Sequence, residues 1–144
     1  MKRMILASLV FLGLCQPLWA QSKPRLYVTL LTASNKGSDF NLANDAFRDK
    51  LIKLFSYTSY NQVKEFSVDL KKSERLRLDL IEGYELVLTL QEEEKSRFLL
   101  QALIRKEGKQ YLDTVLAMSK PGVTFLGGPA VSAGDLIIVL ESSF

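Results

Sequence analysis

Residues 65–90 read Glu65-Phe66-Ser67-Val68-Asp69-Leu70-Lys71-Lys72-Ser73-Glu74-Arg75-Leu76-Arg77-Leu78-Asp79-Leu80-Ile81-Glu82-Gly83-Tyr84-Glu85-Leu86-Val87-Leu88-Thr89-Leu90. Phe66, Val68 and Leu70 alternate with Glu65, Ser67 and Asp69; Leu76, Leu78 and Leu80 alternate with Arg75, Arg77 and Asp79; Leu86, Leu88 and Leu90 continue the pattern. Successive side chains of a strand point to opposite faces, so a period of two with one apolar set describes strands with one face in a core. A one-residue slip would turn every side chain to the wrong face, so the apolar faces set the register. They pair Leu70 with Leu76, Val68 with Leu78 and Phe66 with Leu80, with Asp69 opposite Arg77. The same rule pairs Leu80 with Leu86 and Leu78 with Leu88 around Glu82-Gly83-Tyr84, where Gly83 can take a positive φ.

Downstream, Glu92-Glu93-Glu94-Lys95 reads as a solvated hairpin tip; calcium loops built from oxygen ligands interleave their carboxylates with glycine instead. Beyond it, Phe98, Leu100, Ala102 and Ile104 fall opposite Met118, Leu116, Thr114 and Leu112 around Glu107-Gly108-Lys109. Pro121-Gly122 predicts a type II turn into a strand over Val123 to Leu126, ended by Gly127-Gly128-Pro129. Leu136 to Leu140 is nearly continuous in apolar residues, the pattern of a strand buried on both faces.

Upstream, Leu26 to Thr32 carries Leu26, Val28 and Leu30 on one face and Tyr27, Thr29 and Leu31 on the other, which suits a central strand. The loop Ala33 to Asp39 has breaker chemistry, and Asp39 or Asn41 is suited to cap a helix. Ala43, Phe47, Leu51, Leu54 and Phe55 recur at helical spacing, predicting an amphipathic helix over Leu42 to Phe55 packed on a sheet. The expected fold is α+β: mainly antiparallel sheet of about eight strands, a sandwich or half-barrel, with one amphipathic helix after the first strand.

At the N-terminus, Lys2 and Arg3 precede an apolar run from Met4 to Leu14, and Leu18-Trp19-Ala20 precedes Gln21 as a small-residue-ended cleavage site. Residues 1–20 are therefore expected to be a signal peptide and 21–144 a single exported domain. The run is about half of the roughly 20 apolar residues a membrane span needs, so no stable transmembrane helix is expected after cleavage. Leu14 before Cys15 does not fit the small residue that lipidation requires.

Cys15 and Trp19 leave with the leader, and the chain has no His. The remaining residues cannot build a Ser-His-Asp triad, a cysteine nucleophile, or an imidazole or thiolate metal site. Without Lys2 and Arg3 the balance is 17 basic against 16 acidic residues, about +1, and the basic residues are interspersed with acidic ones. A nucleic-acid surface normally clusters its positive charge, so no nucleic-acid partner is expected. Ser-x-x-Lys spacing is absent from 21–144, and Ser119-Lys120 stands beside a turn. Neither enzymatic activity nor a cofactor is expected.

Three segments are candidates for contact with a partner. Ser34-Asn35-Lys36-Gly37 lies between a strand and a helix start, where free amides can meet an anion or simply be capped. Tyr57 and Tyr60 follow the helix, where aromatics suit a binding patch or a corner anchor. Gly127, Gly128 and Pro129 either admit another backbone or turn the chain.

The stretch from Tyr84 to Leu140, with its long hairpin, Pro121-Gly122-Val123-Thr124-Phe125-Leu126-Gly127-Gly128-Pro129 and final apolar strand, resembles the β-domain of secretins, the outer-membrane secretion channels. The chain is also similar to small uncharacterised exported bacterial proteins with an Ala-Ser-Asn loop, a Phe-Ser-Tyr-x-Ser-Tyr helix end and a Gly-Gly-Pro strand. The secretin resemblance implies a small envelope module related to secretion-machine parts that works through protein contacts.

The expected function is accordingly non-catalytic. The chain would act in the periplasm, at the outer envelope or outside the cell, contacting another protein or itself through a sheet edge, with Asn35, Tyr57, Tyr60, Gly127, Gly128 and Pro129 as the contact region. The alternatives are a module binding a lipid or cell-wall fragment between sheet and helix, and an eight-stranded outer-membrane barrel. Leader, alternation and terminal Phe144 fit a barrel, whereas the missing aromatic girdles and the charged early helix do not.

Overall fold

Strand β1 (Arg25–Ser34) is apolar on both faces, and the computed structural model, which describes residues 25–43 and 45–143, places it between two neighbours. The leader reading of residues 1–20, the cleavage before Gln21 and the terminal Phe144 lie outside the described residues. In chain order follow β2 (Phe40–Asn41), a 3-10 turn (Asp45–Phe47) running into α1 (Arg48–Leu54), β3 (Ser59–Asp69), β4 (Arg75–Asp79), β5 (Glu85–Glu93), β6 (Arg97–Lys106), β7 (Lys109–Ser119), β8 (Gly122–Val131) and β9 (Gly134–Ser143).

The strands form two sheets, β2-β3-β1-β9-β8 and β4-β5-β6-β7, antiparallel except for the short parallel pair β2/β3. The fold is thus α+β and mainly antiparallel, as expected, and it is a sandwich rather than a closed barrel. Leu26, Val28 and Leu30 of β1 and Leu136, Ile138 and Leu140 of β9 meet Leu86, Leu88, Leu100 and Ile104 of the facing sheet. On the other side of the same strands, Leu31, Ala33, Ile137 and Val139 pack beneath Phe47 and Leu51 of the helical segment, with Tyr60 between them. Leu136 to Leu140 is therefore buried throughout, as its unbroken apolar run implies.

The β6–β7 hairpin follows the expected register, with Phe98 opposite Met118, Leu100 opposite Leu116, Ala102 opposite Thr114 and Ile104 opposite Leu112. Glu107 and Gly108 both take positive φ, 51° and 76°, in the tight turn. Such a turn matches the right-handed twist of the strands it joins.

Other expectations are corrected. β3 does not pair with β4: it runs beside β1, from Arg25 opposite Asp69 to Ser34 opposite Ser59, and β4 lies in the other sheet. Phe66 and Val68 still face the core that receives Leu76 and Leu78, because the sheets pack face to face. The apolar pattern fixes the face of a strand and not its sheet, and β1 offers β3 a far longer ladder than five-residue β4 could. Asp69 consequently bonds Arg25, not Arg77, with Arg25 Nε donating at 3.3 Å.

In β4–β5, Leu76 is opposite Leu88 and Leu78 opposite Leu86, a two-residue shift from the expected register that keeps the same faces. The turn accordingly begins one residue earlier, closed by Leu80 N–H donating to Tyr84 O at 2.8 Å, with Gly83 at φ 80°. α1 is shorter than expected and is not capped by Asp39 or Asn41: Phe47 stands at its start, and residues 40–41 pair with β3 instead. Of the expected stripe, Phe47 and Leu51 are buried and Phe55 half-buried, but Ala43 and Leu54 are exposed. Gly122 is not in the left-handed region that a type II turn requires at its third residue. Gly127-Gly128-Pro129 does not end its strand; it forms a bulge inside β8 between Gly127, opposite Ile137, and Ala130, opposite Asp135.

Candidate functional site

The sheet end where β1 and β8 finish and β3 and β9 begin collects most of the expected contact residues. It is built from the corner after α1. Phe55 N–H donates to Leu51 O at 2.9 Å, ending the helix, and the Tyr60 hydroxyl donates to Leu51 O at 3.2 Å and Phe55 O at 3.4 Å. Tyr60 is 0% exposed, packed against Phe40 at 5.1 Å between ring centroids. Its place is inside the helix–sheet core, where it anchors the corner; it belongs beneath the contact region and not on its surface. Burial pushes its hydroxyl pKa upward.

Tyr57 stands edge-on to Tyr60 at 6.2 Å and reaches β9, where its hydroxyl donates to the Asp135 carboxylate. That bond, and then burial, raise the Tyr57 pKa above its ordinary value. A phenol held protonated against a carboxylate is less available as a base near neutrality. The pair is therefore suited to fixing position. Asp135 pairs across to Ala33 of β1 and Ala130 of β8, so Tyr57 ties the corner to three strands.

The loop bearing Asn35 is strapped to the same corner. Thr58 N–H donates to Ser34 O at 3.2 Å, Thr58 Oγ1 to Gly37 O at 2.7 Å, and Tyr60 N–H to Asp39 O at 2.9 Å. Asn35 itself is exposed at the loop tip. Because β2 and the 3-10 turn intervene before α1, this loop does not present helix N–H groups, which corrects the anion-site reading of Ser34 to Gly37. On the other flank, Gly127 lies beside the Phe55 ring, where an added Cβ would stand 3.7 Å from Cε1. Gly128 is seated against Leu136, whose Cβ would be 3.1 Å from an added one. Asn35, Tyr57 and the Gly127 to Pro129 bulge thus share one end of the five-stranded sheet.

Sequence reading missed Asp135 and Phe55. Asp135 was signalled only as a carboxylate opening an apolar strand; Phe55 was assigned to the helix stripe. At the acidic tip, Arg97 Nε meets Glu94 at 3.0 Å and Lys120 Nζ meets Glu93 at 2.5 Å, so cations of the protein itself answer these carboxylates. Among the described residues there is no cluster of three or more His, Cys, Asp or Glu side chains able to hold a metal ion.

Comparisons with protein-family models, with curated proteins and with solved structures find no match to this chain. Among the described residues no helix is long and apolar enough to cross a membrane.

Proposed function

We propose that this chain is a non-catalytic exported domain of the bacterial envelope that works by binding protein, in the setting of secretion machinery or envelope assembly that the secretin-like C-terminal stretch implies. The observation that supports this reading is the open sandwich: β8 and β7 each end a sheet, joined on one side to β9 and β6, and the Asn35–Tyr57–Pro129 residues gather at one end of the β8 sheet. An edge strand keeps a row of main-chain donors and acceptors for a partner strand, and neighbouring side chains supply selectivity. A surface of this kind needs a rigid support, and the Tyr57–Asp135 tie and buried Tyr60 provide one.

The test is site-specific photocrosslinking in a bacterial host expressing the full chain. A crosslinking residue replaces Asn35 or Pro129, with Glu65 on β3 as the control, followed by cell fractionation. Adducts with one envelope protein from Asn35 and Pro129, but not Glu65, support the reading. Recovery in the cytosol without adducts overturns it.

A further inference from the structure

A sandwich of two open sheets has four edges, and here three are protected against pairing, the β2/β3 edge among them. Among the described residues β3 pairs with β2 at Tyr60 and Asn61; beyond them it bulges where the register with β1 shifts between Leu30 and Leu31. Its Lys64 turns across the sandwich to donate to Asp79 O and Leu80 O at 3.2 and 3.3 Å. β4 is only five residues long and carries Arg75 and Arg77. β8 has its glycine bulge and Pro129, which lacks an N–H, so its Asn35–Tyr57 end offers side-chain contacts and not a ladder for a partner strand. Short strands, bulges, proline and inward-pointing lysines are the devices that blunt sheet edges.

β7 has a bulge only at its start, where the register shifts between Ile104 and Arg105. From Leu112 to Ser119 it pairs regularly with β6, and its other side has no strand partner among the described residues. Its one charge in that stretch, Asp113, is drawn back over β6 by Gln101 Nε2, which donates at 3.1 Å. Val115, 51% exposed, and Tyr111, 45% exposed, are two of the five large apolar side chains left in solvent among the described residues.

We propose that β7 is a self-association strand: two copies of the chain join their β7 edges antiparallel about a two-fold axis at Val115, extending the four-stranded sheet into one of eight. This rests on the reading above that the chain works through protein contact at its sheet edges, and it adds β7 as an edge and a second copy as its partner. The strand is complementary to a second copy of itself, with exposed Val115 meeting its own counterpart at the axis. Centred on Val115, Leu112 falls opposite Met118, Asp113 opposite Ala117 and Thr114 opposite Leu116, so seven residues pair with no like charges facing. Centring on Asp113 would set the two carboxylates against each other, a destabilising pair. A two-fold contact of this kind closes on itself and leaves no β7 edge for further growth.

The experiment uses the full chain purified from a bacterial host, followed by sedimentation equilibrium over a concentration series. The expected result is a dimer whose dissociation constant rises at least about tenfold in Val115→Lys, which sets two ammonium groups across the axis, while Val115→Thr stays dimeric. In a Cys15→Ser background, which removes the chain's single cysteine, Val115→Cys should form a disulfide-linked dimer, because directly opposed strand residues lie at bridging distance. A wild-type chain that is monomeric throughout overturns the proposal, as does a dimer indifferent to Val115→Lys. If that monomer still gives adducts from Asn35 and Pro129, the β7 proposal falls while the edge-contact reading stands.

Discussion

The Tyr57 hydroxyl donates a hydrogen bond to the Asp135 carboxylate, joining the corner after α1 to the start of β9 across 78 residues of chain. The bond has a definite pH signature. Its folded-state effect is to raise the Tyr57 pKa above the ordinary value of 10.0, chiefly through the hydrogen bond to Asp135 and then through burial. A raised folded pKa means a contribution that is fully present below the unfolded value and lost as pH climbs through the folded one. Above that point a phenolate would face a carboxylate.

Tyr57→Phe should therefore cost about 1–2 kcal/mol near pH 7, in the range for a hydrogen bond to a charged acceptor. The difference between variant and wild type should shrink as pH rises beyond about 10. Urea unfolding at pH 7, 9 and 10.5 checks this. An unchanged midpoint at pH 7, or a gap that widens with pH, would show that the bond does not support the fold.

The glycines at the β8–β9 hairpin separate into those the backbone requires and those it does not. Gly134 has φ 137°, and a Cβ there would lie 2.1 Å from Ala33 O, a backbone atom of β1 that cannot give way. Gly127 would place its Cβ 3.7 Å from Phe55, an ordinary contact. Gly134→Ala should cost about 3 kcal/mol or more, with strain and clash adding. Gly127→Ala should stay within about 1 kcal/mol of wild type. Thermal melts of the two variants side by side decide the matter.

The same contrasts show what the sequence carries and what it withholds. Face assignment was legible nearly everywhere, because Phe66, Val68, Leu78, Leu88 and Leu100 all point where their alternation says. The β6–β7 register was legible too, since keeping both apolar faces together sets Ile104 opposite Leu112, and a bulge between Ile104 and Arg105 reconciles that pairing with the two-residue turn. The β3–β4 pairing was not, because in a sandwich two strands can share a core from opposite sheets, and periodicity is blind to the difference. Nor was the extent of the helix: Ala43 and Leu54 keep the helical spacing, yet residues 40–41 find a strand partner first. At the candidate site, Tyr57, Asn35 and Pro129 could be chosen by type, but Tyr60 and Tyr57 are chemically identical and three residues apart. Which one is buried depends on the bend at Phe55 and on Asp135, far away in sequence.

Leu51 is the fully buried anchor of a helix only seven residues long, whose start makes no side-chain capping bond. A helix this short does not persist in water without packing. Leu51→Ala should cost about 2–4 kcal/mol and remove amide-exchange protection in residues 48–54 before it is lost in β1 and β9. A loss below about 1 kcal/mol would mean that the five-stranded sheet does not depend on its helical cover.

Lys64 supplies the last prediction, because its two roles come apart on mutation. Its ammonium donates to Asp79 O and Leu80 O, bridging the edges of the two sheets. These bonds are largely in water, so Lys64→Ala should lower stability by only about 0.5–1.5 kcal/mol. The same lysine is an inward charge on β3 where the strand's outer side lies beyond its pairing with β2, and a partner strand arriving there would have to desolvate it. Light scattering at high concentration should therefore rise in Lys64→Ala far more than the stability loss explains, and Lys64→Arg should restore wild-type behaviour by keeping the charge. If Lys64→Ala aggregates no more than Glu65→Ala, the bulge alone protects this edge and the lysine serves only as a strut between sheets.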